Sequence, residues 1–397
     1  MIPAVVLACL LPGFLQAREP ETVSVDLAAD EGEPLQRASG FLHGFSPDGS
    51  LPPDSAVLPL KMRLHRTRLH ATWEDTERMK SLGIQQQIVL ADLWGYGEKH
   101  PGDGGDWTEW ERDVSTTVRK AASLGLSVQW DLWNEPDHPT FWKRGWDQFL
   151  KTWELTHRAV RAADPSAVIV GPSWSDVRPG DARFFEFLDF CAANNVLPDY
   201  VSWHFPADAV KEAAALRAYV SDKKLGIRGM QINEYVFKDE MNPGKTAWHI
   251  AKIERAKVDG ACHAVWADED SGDLDGILKD PSGASRTGRW WVYERYAGIL
   301  GRLARTEPSG EIELIAGKDG DAVRVLLGNK GGFSGKVTVR FAGLPKDPVR
   351  VVVERIPHAR GKAVASPRVI LKKDVMPPEL TFRWKDARDA YFIRLSP

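Results

Sequence analysis

The chain is poor in cysteine, with three in 397 residues, and only Cys191 and Cys262 lie beyond the first few positions. At most one disulfide could form there, and both segments are apolar, so two packed free thiols are expected and cysteine chemistry is not. Neither sign of charge dominates: 52 Lys and Arg face 55 Asp and Glu, a net charge of -3. That balance excludes the basic footprint of a nucleic-acid or anionic-membrane binder. No run reaches the ~20 apolar residues that a membrane span needs. Internal repeats, low-complexity linkers, phosphate-cradling glycine loops and the nucleophile elbow of serine hydrolases are all missing. So is the HxH pair of metal-dependent barrel hydrolases. His65 and His70 are five residues apart, which suits no helical face, and no metal or other cofactor is expected.

What is present begins with ample core material: 43% hydrophobic and 27% charged residues, in a length that suggests two to three domains. Tryptophan is abundant, with sixteen. Such an excess suits both a large core and sugar-stacking platforms. Residues 1–17 form an apolar stretch interrupted by Pro3 and Pro12 and ending Leu15-Gln16-Ala17. Although a basic n-region is lacking, the stretch reads as a secretory signal cleaved after Ala17, which predicts a secreted or periplasmic protein.

Residues 18–37 hold one strand, Glu21–Ala28, in which polar and apolar residues alternate. From residue 38 the pattern becomes strand, loop, helix, repeated. Strands are expected at Gly40–Gly44, Lys61–His65, Gln86–Ala91, Ser127–Trp133, Ala167–Gly171, Tyr200–His204, Met230–Glu234 and His263–Ala267. The last helix is expected over Trp290–Leu303. Eight strands alternating with helices over residues 38–304 predict an α/β fold, a (β/α)8 TIM barrel. Beyond it, residues 305–397 read as short strands between turns such as Lys318-Asp319-Gly320, an accessory antiparallel β-sandwich. The lone strand at 21–28 has no partner in the barrel and is expected to join that sandwich.

The chemistry sits at two strand ends. Gln129-Trp130-Asp131-Leu132-Trp133-Asn134-Glu135-Pro136-Asp137 ends the fourth strand, and Gln231-Ile232-Asn233-Glu234-Tyr235 ends the seventh. Side chains at the C-terminal ends of barrel strands face the mouth, so Glu135 and Glu234 confront each other across it. A pair of carboxyls across a sugar-sized gap is what glycoside cleavage uses: one protonates the leaving oxygen, the other attacks or shields C1.

Trp-Asn-Glu-Pro on the fourth strand with a seventh-strand Glu resembles the clan A glycoside hydrolases. Asp131 through Asp137 resembles family 39 of that clan, the family of β-xylosidases and α-L-iduronidases. The resemblance implies a retaining O-glycosidase, with Glu135 as acid/base, Glu234 as nucleophile and Asn134 as a donor to the sugar 2-hydroxyl. It also implies contacts from His204 at the end of strand six and from Trp266 as the sugar floor. Tyr235, next to the nucleophile, is a further candidate. His43 and Arg63 or His65 are candidates for terminal hydroxyls, and the loop residues Trp94, Trp142 and Trp174 for further subsites. The loop Asp268–Asp275 lacks EF-hand spacing and reads as a solvated rim. The expected partner is an oligosaccharide or polysaccharide of plant, algal or host origin, attacked from a chain end. A non-catalytic carbohydrate-binding barrel and a metal-dependent amidohydrolase are the competing readings.

Overall fold

The computed structural model describes residues 19–70, 73–175, 181–264, 266, 268–344, 350–374 and 378–396. The expected signal segment lies outside them. The chain builds a closed parallel barrel and a nine-stranded sheet. β1 is Glu21–Asp30. The barrel strands are β2 (Gly40–Leu42), β3 (Leu64–Arg68), β4 (Gln85–Val89), β5 (Val128–Asp131), β6 (Val168–Trp174), β7 (Tyr200–His204), β8 (Gly229–Tyr235) and β9 (Gly260–His263). They close in chain order, with β9 pairing β2. The α-helices are α1 (Asp54–Val57), α2 (Glu74–Ser81), α3 (Thr108–Ser123), α4 (Trp146–Ala163), α5 (Ala182–Ala193), α6 (Ala209–Asp222), α7 (Pro243–Ala256) and α8 (Gly288–Ala297).

The outer helices bury one stripe each. Trp110, Val114, Thr117, Val118 and Ala121 of α3 recur at helical spacing and face inward. Inside the barrel the strands are less apolar than expected. β4 reads Gln-Gln-Gln-Ile-Val, and its Gln87 Nε2 donates to Gln129 Oε1 at 3.1 Å and to Gln231 Oε1 at 2.7 Å. Gln231 Nε2 donates to the same Gln129 oxygen at 3.0 Å. Three glutamines thus form one interior layer, stable because the amides satisfy one another. A charged layer lies above it, at the mouth.

The second sheet runs β15-β14-β17-β12-β11-β10-β1-β13-β16. Its other strands are β10 (Arg302–Glu307), β11 (Ile312–Asp319), β12 (Ala322–Asn329), β13 (Gly335–Ala342), β14 (Arg350–Ile356), β15 (Arg368–Lys373), β16 (Glu379–Trp384) and β17 (Ala390–Ser396). The sheet curls around a core that includes Val23, Val25, Val325, Val339, Tyr391 and Ile393, an accessory sandwich. β1 pairs antiparallel with β10 and parallel with β13.

Several boundaries differ from expectation. β3 and β9 each lie about three residues from their expected positions, and the final helix stops at Ala297. Gly301, at φ +76°, turns the chain into β10, which the helical reading absorbed.

The two bodies touch through backbone. A Cβ built on Gly328 of β12 would lie 2.0 Å from the amide nitrogen of Trp248 in α7. Arg295 Nε donates to Glu354 Oε2 at 2.8 Å and Trp291 Nε1 to the Val364 carbonyl at 2.7 Å across the same seam. Gly328→Ala is therefore expected to cost ~1–3 kcal/mol, as overpacking does. Chemical denaturation of the variant against the parent checks this.

Candidate active site

The C-terminal ends of the barrel strands open on a cleft of about 600 Å³. His43, Asn134, Glu135, Glu234 and Trp266 line it as expected, joined by Arg66, Arg68, Asp92, Tyr96, Phe141, Phe205 and Glu269. Backbone strain concentrates at this rim. His43, Glu135, Ser173, Phe205 and Val236 all have positive φ, from 40° to 74°, and each lies at or just past the end of a barrel strand. Left-handed backbone costs a non-glycine residue roughly 1–2 kcal/mol, so such a cluster marks places where side-chain aim overrides local preference. At Glu135 the turn is held by its amide, which donates to the Ser173 carbonyl at 2.8 Å.

Arg66 organises the site. It is 1% exposed, and its guanidinium reaches three partners. Nε donates to Asp131 Oδ2 at 2.8 Å, Nη1 to Glu234 Oε1 at 2.7 Å and Nη2 to Asn134 Oδ1 at 2.7 Å. Asp131 also accepts from Ser173 Oγ at 2.7 Å and from Asn233 Nδ2 at 3.2 Å. Asn233 thus supports the floor rather than the substrate.

His204 bridges the two glutamates. Its ring is fully buried, with Nδ1 2.8 Å from Glu135 Oε1 and 3.5 Å from Glu234 Oε1. Burial pushes its pKa down to about 3, against the pull of Glu234, so the imidazole is neutral. One carboxylate oxygen of each glutamate and one ring nitrogen of His204 all lie within 4.8 Å of one another.

Burial raises the pKa of both glutamates. For Glu234 the opposing influences are His204 and Arg66, and the charge of Glu135 pushes it further up. For Glu135 only His138 and Arg66 oppose burial, and neither side chain is hydrogen-bonded to its carboxyl. Two carboxyls this close share one proton. The guanidinium bond at 2.7 Å favours the anion on Glu234, and Glu135 has no such bond.

Six expected contacts do not reach the cleft. His65 points to the barrel's outer layer, where Nδ1 meets Gln86 Oε1 at 3.2 Å and the ring packs on Phe45. The three-residue offset of β3 reverses its face, and the same parity turns Arg66 inward. Tyr235 is completely buried: its hydroxyl donates to the Ala38 carbonyl at 2.6 Å and meets Tyr293 at 2.6 Å. Trp174 packs edge-on against Trp146 and Phe184, and Trp94 edge-on against Trp110. Trp142 likewise packs on Trp133. Arg63 donates to the Leu35 carbonyl at 2.8 Å, away from the mouth. Core packing thus accounts for most of the tryptophan excess, and Trp266 is the one that lines the cleft among the described residues.

Trp266 lies beyond β9 rather than within it. Its ring is fixed by Nε1 donating to the Val236 carbonyl at 2.8 Å and by Phe205 at 5.6 Å. Asp92 and Tyr96 form the opposite wall, the tyrosine donating to the carboxylate at 2.6 Å. Cys191 and Cys262 are buried free thiols.

Removing the guanidinium leaves Asp131 buried and uncompensated. Arg66→Met is expected to cost on the order of 3–5 kcal/mol. Thermal unfolding followed by circular dichroism measures it, and an unchanged midpoint would refute the role given to Arg66.

Residues 100–243, which carry both glutamates, match the family model for glycosyl hydrolases family 39. Over 128 residues the chain is 38% identical to a beta-xylosidase of Geobacillus stearothermophilus. That stretch is 32% of this chain and 25% of the relative, so the chain matches about a quarter of the relative's length. In shape it resembles a protein of Neocallimastix frontalis (TM-score 0.81, 23% identity, 95% of this chain and 100% of that one). It likewise resembles a family 39 enzyme of Xanthomonas axonopodis pv. citri (0.70, 16%, 98% and 100%) and a monomeric beta-xylosidase of Caulobacter crescentus (0.68, 17%, 95% and 99%). The family 39 match thus falls on the barrel segment that carries both strand-end glutamates, and the solved structures share the fold of barrel and accessory sheet.

Proposed function

We propose that the protein removes one uncharged sugar from the end of a glycan by a retaining double displacement. The observation that carries this reading is the spacing and asymmetry of Glu135 and Glu234. One oxygen of each carboxyl lies within 4.8 Å of the other, near the ~5 Å spacing that leaves no room for a water at C1 and favours covalent attack over inversion. In the first step the Glu234 carboxylate forms a bond to C1 while Glu135 gives its proton to the departing oxygen. In the second, Glu135 takes a proton from water, the water oxygen bonds to C1, and Glu234 leaves as the carboxylate. Neutral His204 can donate to either glutamate as their charges exchange, and Arg66 stabilises Glu234 whenever it is free.

The charge of the lining argues for a neutral sugar. Among the described lining residues, Asp92, Glu135, Glu234 and Glu269 outnumber Arg66 and Arg68, and both guanidiniums are already paired with protein carboxylates. Among the described residues, a uronate would meet no free cation in the lining. The name of the Geobacillus relative, beta-xylosidase, fits a small neutral pyranose. The apolar segment at residues 1–17 supports secretion or a periplasmic location.

Two measurements test this. Glu234→Gln should abolish hydrolysis of an activated aryl xyloside, and NMR of the first wild-type product should show the substrate's own anomer. Persistent turnover would refute the nucleophile, and the opposite anomer would refute retention. Second, Glu135 works protonated and its pKa is raised, so kcat/KM should fall with rising pH only above the usual glutamate range of about 4.3. In Glu135→Ala that alkaline limb should vanish, and poor leaving groups should suffer more than activated ones.

A further inference from the structure

The acidic loop Asp268–Asp275 is not simply a solvated rim. It is tied to the barrel from three sides. Along the rim, Arg68 Nη1 donates to Glu269 Oε2 at 2.8 Å and Nη2 to Asp270 Oδ2 at 2.5 Å. Beside it, the Gly44 amide donates to the Glu269 carbonyl at 2.8 Å and the Leu274 amide to the Gly44 carbonyl at 3.0 Å. From beneath, Asp275 is 1% exposed, and its Oδ1 accepts from the Trp266 amide at 2.8 Å. Its carbonyl accepts from buried Arg289 Nη2 at 2.9 Å, and His263 Nε2 lies 3.4 Å from its Oδ2.

The three ties differ in strength. Exposed ion pairs such as those of Arg68 contribute at most about 1 kcal/mol. The backbone stitch and the buried Asp275 therefore hold the loop, and Arg68 sets its tip. Close approach is built into the stitch: Gly44 has φ +82°, and a Cβ there would lie 2.7 Å from the Leu274 Cα. Leu274 and Asp275 themselves fold back at φ 55° and 56°.

The ties come from β2, β3 and the segment after β9, which are neighbours in the barrel. Together they wall one arc of the mouth, between Glu234 on β8 and Glu135 past β5. We propose that this tied loop is the chain-end stop of the cleft. It blocks the space beyond the sugar held over Arg66 and confines cleavage to the terminal unit, with Gly44 and Asp275 as its positioning residues. The inference rests on the glycosidase reading above and adds to it the residues that set exo action.

The test uses a reducing-end-labelled hexasaccharide of whichever sugar is accepted as an aryl glycoside. Wild type should release only monosaccharide at early times. Gly44→Ala, which pushes the loop outward, should release di- and trisaccharides alongside it, and Arg68→Ala should do so to a smaller extent. The readout is the ratio of products, which does not depend on total activity. Monosaccharide alone from a Gly44→Ala protein with a native melting profile overturns the proposal. If that variant does not fold, Arg68→Ala decides on the same ratio. Internal fragments from wild type would overturn both the stop and exo action. Absence of turnover on every aryl glycoside would instead strike the glycosidase reading itself.

Discussion

One buried guanidinium holds the site together. Arg66 on the second barrel strand binds Asp131 and Asn134, from β5 and the turn after it, and Glu234 on β8. A charge withdrawn from water is costly, and only several short bonds in good geometry offset it. The barrel supplies them because inward side chains of β3, β5 and β8 meet at one level above the glutamine layer. The same fork fixes both glutamates of the cleft: Glu234 directly, and Glu135 through Asn134, its neighbour in the chain. Binding geometry and protonation state thus share one origin.

Placement of the carboxyls also uses local strain. Strands running straight to their ends would carry side chains alternately inward and outward, which sets the aim only to one face or the other. The positive φ at Glu135 and at four other strand ends rotates individual residues off that alternation. Packing beneath them, including the fully buried Trp130, Trp133 and Trp203, supplies the rigidity that makes such conformers persist.

Much of this was legible in the sequence, for physical reasons. The strand–helix alternation shows a barrel because 3.6-residue and 2-residue periodicities are local properties. Glu135 and Glu234 could be found because a polar residue at the end of a buried strand has few structural explanations. Arg66 was harder. In Leu-His-Arg-Thr-Arg a boundary misplaced by three residues exchanges the inward and outward faces, so His65 takes the role that belongs to its neighbour. Tyr235 and Trp174 mislead in another way, since an aromatic near the mouth can serve the core equally well, and only tertiary contacts distinguish the two. The grip on the acidic loop was invisible: Gly44 and Leu274 are 230 positions apart (274 − 44), and nothing local marks the pairing.

The strand at the start of the chain has a consequence for biosynthesis. Ser24 pairs with Glu307 and Glu21 with Val337, separations of 283 (307 − 24) and 316 (337 − 21) residues. At roughly 5–20 residues per second, β1 waits on the order of tens of seconds after leaving the ribosome before either neighbour exists. The whole barrel can fold in that interval, while Glu21–Asp30 remains an unpaired edge. Its outward positions carry Ser24, Asp26 and Asp30, which discourage association with other exposed strands. The strand with the longest wait for its partners is thus one whose charges make the wait safe.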